Sequence, residues 1–142
     1  MMNKDTIVEK LKAYTSSKER IVFAFLFGSL ARDKARNNSD IDLGIYLSPT
    51  CEEDFFRLKM NYKSELEQAL KMPVDIVIMN DAPPLLNHQI FTDGIPIKNK
   101  DQKTLTNFRV RNFYFYQDQR IIMNQYLEST KKRINEELLN GK

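Results

Sequence analysis

Seven consecutive apolar residues, Ile21-Val22-Phe23-Ala24-Phe25-Leu26-Phe27, run straight into Gly28-Ser29, and after ten more residues the chain reads Asp40-Ile41-Asp42-Leu43-Gly44-Ile45-Tyr46-Leu47. The first segment predicts a buried strand ending in a turn. The second alternates. Successive strand side chains face opposite ways, so Ile41, Leu43, Ile45 and Leu47 share one side while Asp40 and Asp42 share the other. This is a strand with an apolar face on a core and an open acidic end.

The chemistry of that end is restrictive. Residues two apart on a strand lie about 6.5 to 7 Å apart, and carboxylates held so close repel by a few kcal/mol at an effective dielectric of about 20. A counter-cation is required. Mg²⁺ binds through one or two carboxylates plus phosphate oxygens, and two such ions roughly 4 Å apart clamp the attacking and leaving oxygens of an in-line displacement. Gly28 and Ser29 supply a turn without side-chain bulk, with amides and a hydroxyl able to approach a triphosphate. A third acid, Asp75, interrupts the β-branched run Val74-Asp75-Ile76-Val77-Ile78-Met79. An isolated charge there is costly, so it is expected to share metal with Asp40 and Asp42 and to accept the proton of an attacking hydroxyl. That assignment requires the two strands to be neighbours. A calcium loop, the other reading of Asp-x-Asp-x-Gly, fails because Ile41 and Leu43 are apolar and no glutamate stands at the later ligand position.

The remaining elements follow from capping and periodicity. Helix one is expected near Asp5 or Thr6, burying Ile7, Val8, Leu11 and Tyr14. Thr50 and Glu53 read as a capping box for a helix carrying Phe55, Leu58, Tyr62, Leu66 and Leu70. Asp81 before Ala82-Pro83-Pro84 is expected to cap the next helix, followed by a short extended piece at Gly94-Ile95-Pro96-Ile97. From about Thr104 to Leu139 there is no Gly or Pro, which predicts one or two long helices. Four aromatics in a row, Phe113 to Tyr116, spread around such a helix, so at least one must face solvent or another chain. The expected architecture is α/β (α+β): a small mixed sheet with helices packed on one face and a long C-terminal helical segment.

At 142 residues the chain builds one core, read as a single domain over 1–142 with a catalytic part at 1–100 and a helical segment at 101–142. No room remains for a separate acceptor-binding domain, which favours a protein acceptor that brings its own recognition surface. A net charge of +3 is too mild for a nucleic-acid protein. Lys131-Lys132-Arg133 reads as a solvated helix face, and His88 as an ordinary helix position. Arg32, Lys34 and Arg36 fall between Ser29 and Asp40, where a triphosphate would lie. The single Cys51 excludes an internal disulfide, and the lack of a signal peptide or an 18-residue apolar run predicts a cytoplasmic protein without membrane attachment.

Gly-Ser, ten residues, Asp-x-Asp and a third Asp on a later strand resemble the DNA polymerase β-type nucleotidyltransferase superfamily. The stretch Val74 to Leu86, the Gly94-Ile95-Pro96-Ile97 segment and the long C-terminal helix make the chain similar to the MntA antitoxins paired with HEPN ribonuclease toxins. The resemblance implies the nucleotidyltransferase fold and transfer of AMP from ATP, with two Mg²⁺, to a tyrosine hydroxyl of the toxin. It assigns Gly28, Ser29 and Arg32 to the nucleotide and Asp40, Asp42 and Asp75 to the metal. Asp33 departs from the pattern, which has a small residue there. The toxins' Arg, spacer, His-x-Tyr motif is absent, since Gln89-Ile90 follows His88. Two rivals share these residues: an enzyme acting on a small molecule such as an aminoglycoside, and an antitoxin that works by binding alone.

Overall fold

The computed structural model describes residues 3–32, 40–50 and 52–140. Asp33, Lys34, Arg36, the turn at 37–39 and Cys51 lie outside them.

Among the described residues nine elements follow in order: α1 (Lys4–Ser16), β1 (Ile21–Phe27), α2 (Gly28–Ala31), β2 (Ile41–Leu47), α3 (Phe55–Leu70), β3 (Val74–Ile78), α4 (Pro84–Asp93), β4 (Ile95–Asn99) and α5 (Gln102–Leu139). The strands form one sheet in the order β3-β2-β1-β4. β1 is antiparallel to β2 and β4, whereas β2 and β3 run parallel. The parallel pair needs a crossover, and α3 supplies it. The extended piece after Gly94 is thus a full edge strand.

Helices cover both faces of the sheet, not one. Ile7 and Leu11 of α1 and Leu58, Tyr62, Leu66 and Leu70 of α3 pack with Ile41, Leu43, Ile45, Leu47, Val74 and Ile76 in one cluster. On the other side, Ile90 and Phe91 of α4 and Phe108 of α5 join Phe23, Phe25, Tyr46 and Met79. Phe23 stacks on Tyr46 at 4.7 Å between ring centres, and Tyr46 meets Phe108 at the same separation. The acidic face of β2 becomes apolar at Gly44 and Tyr46, and α4 seats there. A side chain on Gly44 would meet Ile90 Cδ1 at 3.2 Å.

Two caps differ from expectation. α3 opens on Asp54, whose Oδ1 accepts the Phe56 N–H at 2.9 Å. Thr50 instead pairs its hydroxyl with Ser48 at 2.9 Å. Asp81 does not cap α4. Pro83 takes that position with no side-chain bond, because Pro84 in the first turn has no N–H to satisfy. α1 starts at Lys4 under the side chain of Asn3, and α5 is one helix capped by Asp101. Two amides lock α5 to α4: Asn87 Nδ2 donates to Met79 O and Asn112 Oδ1, and Asn112 Nδ2 donates to Pro84 O.

Candidate active site

The ends of β1, β2 and β3 converge at one edge of the sheet. Phe27, the last residue of β1, registers with Asp42, and Asp42 registers with Asp75 across the parallel ladder. Neighbouring strands lie about 4.8 Å apart, so Asp42 and Asp75 stand side by side on one face. The neighbour relation required by the sequence is met. Asp40 precedes β2 and is exposed, as is Asp75, while Asp42 is half-buried.

Charge and burial act together on Asp42. Desolvation pushes its carboxyl above the ordinary range, the negative charges of Asp75 and Asp40 push it further, and the Arg32 guanidinium opposes them. The three acids thus form one electrostatic unit with Arg32 beside it.

Gly28 closes the site from the β1 side. Its φ of +80° is the left-handed region, and a Cβ there would lie 2.2 Å from Asp42 Oδ2. The backbone lies directly against the carboxylate, which explains why this turn takes glycine. Ser29 follows in the one-turn helix α2. Arg32 folds back on the same turn, donating from Nε to Gly28 O at 3.3 Å, and its backbone N–H reaches that oxygen at 3.2 Å. Lys4 Nζ donates to Ala31 O at 3.2 Å, tying α1 to α2.

Sequence reasoning missed a second support. Val74, immediately before Asp75, presents its peptide groups to the outer edge of β3, where α3 captures them. Lys63 Nζ donates to Val74 O at 2.5 Å, and Glu67 Oε2 accepts the Val74 N–H at 3.1 Å. Lys63 and Glu67 also pair at 3.5 Å. Their four-residue spacing reads as an ordinary helix-surface ion pair, so only the fold reveals what it holds. His88, expected to be unremarkable, stacks face to face on Tyr116 at 4.0 Å.

Among the described residues no three acidic, histidine or cysteine side chains form a ready-made metal cage. Mg²⁺ does not need one, since it is held by one or two carboxylates with water and substrate phosphate completing its shell. The hard-oxygen pair Asp42 and Asp75, with negative charge around Asp42 that Arg32 only partly offsets, fits such an ion.

A sequence profile of the polymerase β nucleotidyltransferases matches residues 9–103, about two thirds of the chain. The chain belongs to the polymerase β nucleotidyltransferase family. The matched region contains Gly28, Ser29 and all three acids, and it ends where α5 begins. Among solved structures, this nucleotidyltransferase is similar to a toxin–antitoxin chain crystallised with AMP-PNP, at 23% identity and a TM-score of 0.71, over 91% of this chain and 98% of that one. A second similar chain comes from a complex of tri-AMPylated Shewanella oneidensis HEPN toxin with MNT antitoxin: 20% identity, TM-score 0.69, over 89% and 98%. A third, described as a minimal nucleotidyltransferase, shares 31% identity over 67% of this chain and 96% of its own, with a TM-score of 0.57. The first two likenesses run well into α5, past the family region. No curated protein sequence matches the chain significantly. Among the described residues no helix is long and apolar enough to cross a membrane.

Proposed function

We propose that this nucleotidyltransferase is the modifying half of a toxin–antitoxin pair, transferring AMP from ATP to a tyrosine hydroxyl of a HEPN-type ribonuclease and so silencing it. The single observation that carries the enzymatic part is the Asp42–Asp75 register beside Gly28: two carboxylates brought together at a strand-end turn without side-chain bulk. The antitoxin part is supported by the likeness to toxin–antitoxin chains over about nine-tenths of this chain. With ATP as donor, the proposed reaction is a cytoplasmic one.

Asp40, Asp42 and Asp75 would hold Mg²⁺, two ions by the chemistry of in-line transfer, and bound Mg²⁺ neutralises charge on the phosphate oxygens. The tyrosine oxygen forms a bond to the α-phosphorus as the bond to the bridging β-phosphate oxygen breaks. Asp75, exposed at the site's edge, takes the tyrosine proton. The Gly28-Ser29 turn and Arg32 receive the departing pyrophosphate, with backbone dipoles and a guanidinium already in place. Each turnover attaches AMP to the acceptor and releases pyrophosphate.

The test is the intact mass of a purified HEPN-type acceptor after incubation with this protein, Mg²⁺ and ATP. The expected result is a gain in multiples of one AMP that disappears with Asp42→Asn. An unchanged mass, alongside a stable complex and suppressed ribonuclease activity, would replace this reading with inhibition by binding.

A further inference from the structure

α5 extends far past the sheet. Its 38 residues run about 57 Å at the usual helical rise, yet only Phe108 and Asn112, both in its first third, are buried. Farther along stands a belt of large apolar side chains, Tyr114, Phe115, Ile121, Ile122, Met123 and Tyr126, each 54–66% exposed. At about 100° per residue they do not form one stripe. Tyr114 and Ile121 project nearly opposite Phe108 and Asn112; Phe115, Ile122, Met123 and Tyr126 lie within about 60° of the line of Phe108 and Asn112, and the exposed Phe113 and Leu127 fill the remaining flank. A helix apolar on every side is one that other helices enclose.

Charge narrows what encloses it. α5 carries seven basic and four acidic side chains, a surplus equal to the whole chain's net charge of +3. The basic groups flank the belt, with Arg109 and Arg111 before it, Arg120 within it and Lys131, Lys132 and Arg133 after it. A second copy of this chain would bring the same positive surplus, and one facing helix would leave half the belt wet.

We infer that this belt docks the protein acceptor, which receives α5 in an apolar cleft between its own helices, rimmed by carboxylates. The inference rests on the proposed reading that the acceptor is a protein. It adds a division of labour: the sheet edge holds the chemistry, and α5 chooses the substrate.

The experiment measures affinity of the full chain for the purified HEPN-type acceptor, with AMP transfer followed separately. Ile122→Glu combined with Tyr126→Glu should weaken binding at least 100-fold while melting temperature and ATP binding stay at wild-type values. Reversing Lys131, Lys132 and Arg133 to Glu should weaken it at least tenfold, and wild-type affinity should fall several-fold as salt rises from low to physiological. Asp42→Asn should bind as wild type. Binding within threefold of wild type by the double variant overturns the inference, as does salt-independent affinity or no binding by the wild type. A wild-type dimer in sedimentation that the double variant splits assigns the belt to a second copy and overturns it too. Belt-dependent binding by a wild type that transfers no AMP sustains the docking role and sinks only the catalytic reading.

Discussion

Replacing Gly28 with alanine should cost far more activity than stability. At φ +80° an alanine pays about 1–2 kcal/mol of backbone strain. Its methyl group would also sit 2.2 Å from Asp42 Oδ2 and 3.0 Å from Cγ. Regaining van der Waals separation moves the carboxylate or the turn by about 1 Å, and an off-rotamer Asp42 adds about 0.5–1.5 kcal/mol. Together these give about 2–3 kcal/mol, or a melting point lowered by roughly 5–10 °C. Misplacing a reacting group by about 1 Å costs on the order of 100-fold in rate. AMP transfer at 25 °C, where the variant is still folded, should therefore fall about two orders of magnitude. Gly28→Asn separates the two causes. Asparagine tolerates a positive φ but keeps the Cβ, so it should recover part of the stability and none of the activity. A folded Gly28→Ala protein transferring AMP within threefold of wild type would refute the reasoning, because the carboxylate would not then depend on that close approach.

Metal-free stability should carry the signature of Asp42. Its carboxyl is held above the usual aspartate range, so as pH rises through that window the unfolded chain releases its proton first and stability falls, remaining lowered at neutral pH. In chelator at pH 7, Asp42→Asn should melt above wild type, and the gap should close below pH of about 4, where the wild-type carboxyl is protonated in both states; a neutral variant that melts lower would contradict this. Mg²⁺ should stabilise wild type by about 1.4 kcal/mol at ten times its dissociation constant, and Asp42→Asn or Asp75→Asn should lose most of that gain in the same thermal assay. Lys63→Met, which removes the donor to Val74 O, should change stability by under about 1 kcal/mol yet lower Mg²⁺ affinity or transfer about 10-fold. Unchanged kinetics would show that α3 does not position Asp75.

Much of the site was readable because strand period and charge cost are local rules. Asp40, Asp42 and Asp75 were singled out by residues that neighbour them in sequence, and the sheet brought the last two into register as their chemistry required. The turn at Gly28 was read as leaving room for a triphosphate, and its approach to Asp42 was not foreseen, since that contact depends on the β1–β2 register. The second covered face was missed for an instructive reason. The alternation of Asp40 and Asp42 on β2 indicated one wet face, whereas β1 has no alternation at all, which is the pattern of a strand buried on both sides. Asp42 faces solvent only because α4 seats from Gly44 onward. Asp54 outcompeted the capping box at Thr50, and two prolines displaced Asp81, because competing caps a few residues apart are decided by which backbone N–H groups remain open. The Val74 clamp was invisible for want of any local signal.

The placement of β3 has a further consequence, for the order in which the protein fails. β3 is at the end of the sheet, paired with β2 alone among the described strands and held on its outer edge by the α3 clamp at Val74, and it carries Asp75. When an edge strand frays, the interior strands persist, since local opening costs less than global unfolding. Separation of Asp75 from Asp42 would leave β1, β2 and β4 paired and the aromatic cluster around Phe23 intact. Warming should thus silence the enzyme while circular dichroism still reports a folded chain. The temperature at which activity fails marks the release of one strand, several degrees before the molecule itself melts.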